Sequence, residues 1–296
     1  AQISHELDMA DLTPESLQVV LSRNEYARGF YEDFPWAELL HPAVTGAAFN
    51  TLVEPFDNPE VRWALNLALD AKGLALTAYD GAVAFSPAYI PALLPYYEYY
   101  YEELQPYLED YTIEVDGELY QPYNSNLPFE MAEEARRKGY TVPDTEKEIR
   151  IMFGYGWWKH SPEIAEKLLI KNGFSRGRDG KWLLPDGTPW KIEIVCLTTS
   201  TNPSFKWAFS IANQWSEFGI DCEAVPNEQV EHLTDMGDYQ VVGGQPAAEP
   251  FGAGIDLYRG INVFKSAFFK PLGEERVGHQ SRWIDEEIDG YIAQME

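Results

Sequence analysis

The chain has 296 residues, 22 of them basic and 48 acidic, for a net charge of −26. So acidic a surface repels nucleic-acid phosphates and anionic membranes, while 45% hydrophobic residues with 9 Trp, 18 Tyr and 15 Phe exclude a disordered chain. Two cysteines are too few for a disulfide scaffold, and no apolar run reaches the roughly 18 residues of a bilayer span.

The length suits one large α/β domain or two smaller ones. The first residues, Ala1 to Glu6, show no basic and then apolar leader pattern. The first expected helix runs from Thr13 to Arg23, with Pro14 in its first turn and Leu17, Val20 and Leu21 as its apolar face. Val44 to Leu52 reads as a short buried strand, followed by a loop to Asn58.

Asp57-Asn58-Pro59-Glu60 is a strong helix start, combining a cap, a proline and an acid at the positive end of the helix dipole. Val61, Ala64, Leu65, Ala68 and Leu69 then share one face. Asp70 can cap a second helix, Ala71 to Tyr79, that stops at Asp80-Gly81.

Residues 91–111 hold seven tyrosines. A helix is expected from Tyr96 to Leu104, ended by Pro106. A hairpin turning at Asp116-Gly117, a charged helix from Glu130 to Lys138 and a linker-like Thr141 to Thr145 come next.

Ser161-Pro162-Glu163 opens a helix whose core face is Ile164, Ala165, Leu168 and Leu169, and Asn172-Gly173 closes it. Lys181 to Leu184 and Trp190 to Cys196 flank the turn Pro185-Asp186-Gly187-Thr188. Asn202 to Phe218 is a long helix with Phe205, Ala208, Phe209, Ala212 and Trp215 on one side. The strand Ile220 to Ala224 follows, so residues 190–225 read as β-α-β with parallel strands and a right-handed crossover. A further strand spans Tyr239 to Gly243, and a last helix Trp283 to Gln294.

Catalytic and metal signatures such as GxSxG, HExxH, CxxC, a P-loop or an EF-hand loop do not occur. The five histidines are scattered, and carboxylate pairs such as Glu102-Glu103 fit solvated helix faces. Cys196 and Cys222 share strand parity with apolar neighbours and are expected as buried thiols; spacing leaves a disulfide between them open.

Asn58-Pro59-Glu60-Val61-Arg62-Trp63-Ala64-Leu65-Asn66-Leu67-Ala68-Leu69-Asp70 closely resembles the most distinctive motif of the family 5 extracellular solute-binding proteins, receptors of ABC importers. That motif is an acid or Asn, a short gap, Val-Arg-x-Ala, then Ala-x-Asp. Further segments match in order: Leu12-Thr13-Pro14-Glu15, Ala48-Phe49-Asn50-Thr51, Ala165 to Leu169 with Asn172-Gly173-Phe174, Asp179-Gly180-Lys181-Trp182 with Pro185-Asp186-Gly187, Asn202 to Val225, and Gly237-Asp238-Tyr239. The resemblance covers roughly residues 8–245.

The resemblance implies an α/β fold. It is one lobe of a periplasmic-binding-protein-like (type II, cluster C) architecture, with a mixed sheet flanked by helices. Residues 1–296 are expected as the C-terminal lobe of a two-lobed receptor, with 91–145 a tyrosine-rich helical and loop insertion. The implied role is capture of an oligosaccharide or oligopeptide for import, without catalysis, cofactor or metal, in the periplasm or outside the cell. The implied partners are that ligand, a first lobe and the permease subunits, with no nucleic acid and no membrane span. A fragment lacking the other wall of the cleft is expected to bind weakly.

Peptide-binding members often carry Gly-Trp and an acid after the "Asp-Phe-Asp" strand. Here Tyr239 is followed by Gln240-Val241-Val242-Gly243-Gly244-Gln245-Pro246, and Glu249 is the nearest acid. Candidate ligand-facing positions are the strand ends and helix starts at the open edge. They are Asn50, Thr51, Thr199, Asn202, Gly244, Gln245 and Glu249, with Trp158 beside Trp157 as a stacking candidate. Two other readings are a glycoside hydrolase using acidic and aromatic cleft residues, and a receptor for metal or haem-type cargo.

Overall fold

A computed structural model describes residues 3–4, 6–7, 9, 12, 14–29, 33–35, 46–90, 92, 96–200, 203–244, 258–276 and 282–296. Among these, the helices are α1 (Pro14–Arg23), α2 (Pro59–Leu67), α3 (Ala71–Tyr79), α4 (a π-helical turn Tyr97–Tyr101 continued by Glu102–Asp110), α5 (Leu127–Arg137), α6 (Glu146–Phe153), α7 (Pro162–Lys171), α8 (Pro203–Glu217), α9 (Val230–Met236), α10 (Tyr258–Ile261) and α11 (Glu286–Met295). The strands are β1 (Gly46–Phe49), β2 (Ile113–Val115), β3 (Glu118–Tyr120), β4 (Tyr123–Asn124), β5 (Trp157–Trp158), β6 (Ser175–Arg176), β7 (Trp182–Leu183), β8 (Lys191–Cys196), β9 (Asp221–Pro226) and β10 (Val241–Gly244).

The chain divides into two compact units. The first comprises Ala1–His41, Ala71–Glu109 and Tyr123–Trp157, and the second Pro42–Asp70, Asp110–Pro122 and Trp158–Glu296. The stretch 91–145 is shared: its tyrosine-rich helix falls in the first unit and the β2–β3 hairpin in the second.

The first unit is helical. Its core gathers Phe34, Ala75, Phe85, Leu127, Met131, Ala132, Ala135, Ile149 and Phe153, with Leu17 and Leu21 of α1 packed against it. Gly154, at φ 86, lets its backbone run against Phe85, where a Cβ would collide with the Phe85 main chain. The close approach carries a ladder, Phe85 N–H to Phe153 O and Tyr155 N–H to Phe85 O, both 2.9 Å.

Three expectations are corrected in this unit. The helix expected to end at Pro106 continues to Asp110. Tyr101 and Leu108, two turns apart, are both buried, and that packing outweighs the cost of one interior proline, about 3 kcal/mol. α5 starts at Leu127 rather than Glu130, because Leu127 and Pro128 are buried in its first turn. The linker-like stretch leads straight into α6, capped by the Thr145 hydroxyl accepting from Glu148 N–H.

The second unit is built on a four-stranded mixed sheet in the order β1-β10-β8-β9. β8 pairs in parallel with both neighbours, Val241 opposite Ile194 and Ile192 opposite Cys222, while β1 runs antiparallel to β10, with Gly46 opposite Gly244. This confirms the β-α-β reading, with α8 as the crossover. α8 presents Ala208, Ile211, Ala212 and Trp215 as buried residues, and Trp215 stacks on Phe49 of β1 at 6.0 Å. Phe209 departs from the expected face and is 38% exposed, with Ile211 buried instead.

On the opposite face, Val230 and Leu233 of α9 join Ala48, Val195, Tyr239 and Val242 in a separate cluster. Strand alternation turns the buried Ile194, Cys196 and Val241 the other way, toward α8. α2 locks onto this layer: the Trp215 indole N–H donates to Leu65 O at 2.9 Å. Asn58 caps α2 and bonds Asn172 at 2.6 Å, while Asn172 and Lys171 both donate to Glu60, tying the start of α2 to the end of α7.

The turn at 185–188 forms as read, with Leu184 N–H to Thr188 O at 2.8 Å. β7 pairs with β6, however, and β8 leaves to join the main sheet. α11 begins at Glu286 rather than Trp283, because the Asp285 carboxylate caps it by accepting from Glu287 and Ile288 N–H.

Candidate functional site

The chain leaves β8 through α8 to reach β9, then returns through α9 past β8 to reach β10. The two helices therefore lie on opposite faces, which makes the carboxyl ends of β8 and β10 the switch point of the sheet. Ligands of open α/β sheets sit at such a point because two loops diverge there and leave backbone groups uncovered.

The sequence keeps this edge low. Gly244 lies opposite Gly46, and Gly243 opposite Ala47. A Cβ added at Gly46 would meet nothing within 4 Å. Beyond Cys196 the chain presents Thr198, Thr199 and Ser200, all exposed, while Leu197 packs on the α9 side. The local chemistry is thus neutral hydroxyls beside the start of the 15-residue helix α8, whose first-turn N–H groups have no partner within the helix.

The predicted residues fall in different places. Gly244 ends β10, and Thr199 lies in the segment just beyond the end of β8, so both belong to this switch point. Asn202, Gln245 and Glu249 lie outside the described residues. Asn50 is fully buried. Its amide donates to Gly237 O at 3.0 Å and Tyr239 O at 3.1 Å, and its side-chain oxygen accepts from Leu52 N–H at 3.2 Å. It fixes the exit of β1 against the approach to β10 and offers a ligand no surface. Thr51 is half-buried in the turn that follows.

Trp158 is half-buried away from the strand ends, packed edge-on against Trp63 at 4.9 Å and tilted on Tyr111 at 6.1 Å. Sequence reasoning missed Gly46, which strand pairing sets opposite Gly244.

Cys196 and Cys222 are free thiols. They cannot bridge in this register, because Cys222 faces Ile192 and Cys196 faces Pro226. Burial raises the Cys196 thiol to about 11 and, with Asp221 and Glu223 adding to it, the Cys222 thiol to about 12. Neither is a nucleophile at neutral pH. Among the described residues no group of three or more His, Cys, Asp or Glu is placed to hold a metal. No described helix is long and apolar enough to cross a membrane.

A hollow of about 660 Å³ lies at the other end of α8, lined by Glu163, Glu166, Arg176, Asp179, Lys181 and Glu217 among others. Its chemistry is structural. Arg176 donates to Gly180 O and Phe218 O, both at 2.9 Å, and stacks on Trp182 at 3.9 Å, closing the end of α8. The strand-end switch point, not this hollow, is the better candidate site, since strand order and the exposed Thr198 to Ser200 coincide there.

Solved structures share this architecture. A periplasmic oligopeptide-binding protein of an oligopeptide ABC transporter from Thermotoga maritima, solved with mannohexaose bound, matches 98% of the chain at 21% identity and a TM-score of 0.67. An oligopeptide-binding protein from Bacillus subtilis, solved with a nonapeptide, matches 99% at 14% identity and a TM-score of 0.57. At such identities the likeness fixes the fold, part of a cluster C periplasmic-binding-protein architecture. The chain spans 44% of the length of each of these proteins. No curated protein sequence matches it. Residues 1–251 match the model of the bacterial extracellular solute-binding proteins, family 5 Middle, and the chain belongs to that family.

Proposed function

We propose that this chain supplies the second lobe of a two-lobed receptor that captures an oligosaccharide or oligopeptide for an ABC importer. The tyrosine-rich stretch 91–145 is an insertion in that lobe. Capture takes place in the periplasm or outside the cell, and the loaded receptor hands its ligand to permease subunits. Members of the family bind solutes and do not catalyse.

The ligand rests at the β8–β10 switch point, with Thr199 and Gly244 in contact; from their place in the sequence, Asn202, Gln245 and Glu249 are further ligand contacts. The observation that supports this reading is the exposed Thr198 to Ser200 segment beside the glycine-paired end of β10, at the switch point of a family 5 sheet. Closure of a first lobe over this edge buries the ligand by a hinge motion.

Calorimetry on the full-length receptor with neutral di- to hexasaccharides and with di- to nonapeptides tests the reading. Saturable binding of one class is expected, and binding by neither class overturns it. Release of free sugar by the purified receptor would favour a glycoside hydrolase instead. With one wall of the cleft present, the 296-residue chain alone binds the same ligand weaker than micromolar; each tenfold loss corresponds to about 1.4 kcal/mol.

A further inference from the structure

We propose that the Asp80 carboxylate is an acid-released latch that holds helix α1 on the first unit. Asp80 stands at the turn after α3, at φ 56. One carboxylate oxygen accepts from the Tyr140 hydroxyl at 2.6 Å and from the Gln18 amide of α1 at 2.8 Å, and the other pairs with Lys138. Gln18 also donates to the Tyr140 hydroxyl at 3.3 Å. Three segments distant in sequence thus meet at one acid: α1, the end of α3 and the chain leaving α5.

α1 is ten residues long, too short to be stable alone, so it depends on its contacts with the unit. Among its described side chains, Ser16, Val19 and Ser22 are exposed, and Leu17, Val20 and Leu21 face inward. Gln18 adds a polar tie to the unit. Tyr140 is itself fixed, its ring stacked on Phe34 at 4.7 Å and 3°.

The charged and titratable groups that face Asp80 are Lys138 and Tyr140, with Gln18 the neutral contact from α1. Burial opposes ionisation of Asp80, yet the hydrogen bonds from Lys138, Tyr140 and Gln18 together hold its carboxyl below the usual range. Burial, with Asp80 adding to it, raises Tyr140 to about 12, so it remains a neutral donor throughout. A folded-state carboxyl below its unfolded value stabilises fully above that unfolded value, about 3.9, and the contribution fades as pH falls through the folded one. Protonation removes the charge that pairs with Lys138 and puts a proton where donors already converge.

Hydrogen exchange on the intact chain tests the latch, read as protection factors so that intrinsic pH effects cancel. At pH 7, Asp80→Asn and Gln18→Ala are each expected to lower α1 protection by about tenfold, with α5 and α6 changed less than about twofold. Asn tolerates the left-handed backbone at position 80; Gln18→Ala leaves that backbone untouched and decides the matter if the first variant does not fold. On acidification to about pH 3 the unmodified chain loses α1 protection before that of α5 and α6, and Asp80→Asn loses this selective step. Unchanged α1 protection in Gln18→Ala overturns the proposal, as does loss of α1, α5 and α6 together in acid.

Discussion

Replacing Asn50 by Ala separates a structural amide from a ligand contact. Asn50 is fully buried, and three of its side-chain hydrogen bonds go to main-chain groups: Gly237 O, Tyr239 O and Leu52 N–H. Each bond contributes about 1 kcal/mol net, and each partner left buried without a substitute costs about 1–3 kcal/mol. The expected loss is therefore about 3–5 kcal/mol, a large part of a typical domain stability of about 5–15 kcal/mol. Urea unfolding of the 296-residue chain measures it. With a slope of about 3 kcal/mol/M the midpoint falls by at least about 1 M. A shift below about 0.3 M at unchanged slope would refute the reasoning, because a residue so placed cannot be both idle and buried. The opposite pattern, intact stability with lost ligand affinity in the full-length receptor, would return Asn50 to the binding site.

Further outcomes follow from the same geometry. Thr199→Val leaves the unfolding midpoint unchanged within about 0.5 kcal/mol, since the residue is exposed, and weakens ligand binding by the full-length receptor about fivefold in calorimetry, the worth of one hydrogen bond. Gly154→Ala, at φ 86 against the Phe85 backbone, destabilises the first unit by more than about 4 kcal/mol, read as loss of soluble protein or of the helical signal at 25 °C. Cys196 is buried, as expected, whereas Cys222 is only half-buried; with thiols raised to about 11 and about 12, both react slowly with a thiol reagent at pH 8 in the folded chain and readily in denaturant, and rapid reaction of Cys196 in the native chain would contradict its burial. Hydrogen bonds from Lys171 and Asn172 hold the Glu60 carboxyl low, so it adds stability that is present above its unfolded value, near 4.3, and fades as pH falls. Glu60→Gln flattens the acid limb of a stability-against-pH curve; an unchanged limb would remove Glu60 from the account.

What could be read along the chain and what could not divides by distance in sequence. The start of α2 is written locally, since Asn58, Pro59 and Glu60 act within one turn, and the β8-α8-β9 unit follows from hydrophobic spacing alone. α6 was missed, although its signal is local. Thr145 and Glu148 form a helix-start pair, and Ile149 and Phe153 lie one turn apart on its buried face, a pattern masked by the charged residues around it. The continuation of α4 through Pro106 was not legible, because it depends on where Tyr101 and Leu108 are buried.

The site shows the same division at closer range. Asn50 and Thr199 look alike in sequence, each a polar residue at the end of an apolar strand. They differ because the partners of Asn50, Gly237 and Tyr239, are 187 and 189 residues away, whereas Thr199 leaves a strand whose neighbour ends in two glycines. Gly243 and Gly244 take their place in the sheet only when β1 pairs antiparallel with β10 and sets Gly46 opposite Gly244. That pairing joins residues some 200 positions apart, and no local pattern encodes it. The switch point is therefore a property of strand order, and in the proposed site the exposed side chains beside it, such as Thr199, select the ligand. A substitution that breaks the β1–β10 pairing, such as Gly46→Pro at the end of the edge strand, should damage binding of every ligand equally, whereas Thr199→Val should change the ranking among ligands. Calorimetry of both variants of the full-length receptor against one sugar series and one peptide series separates the two effects. Equal loss across all ligands in Thr199→Val would remove the residue from the contact surface.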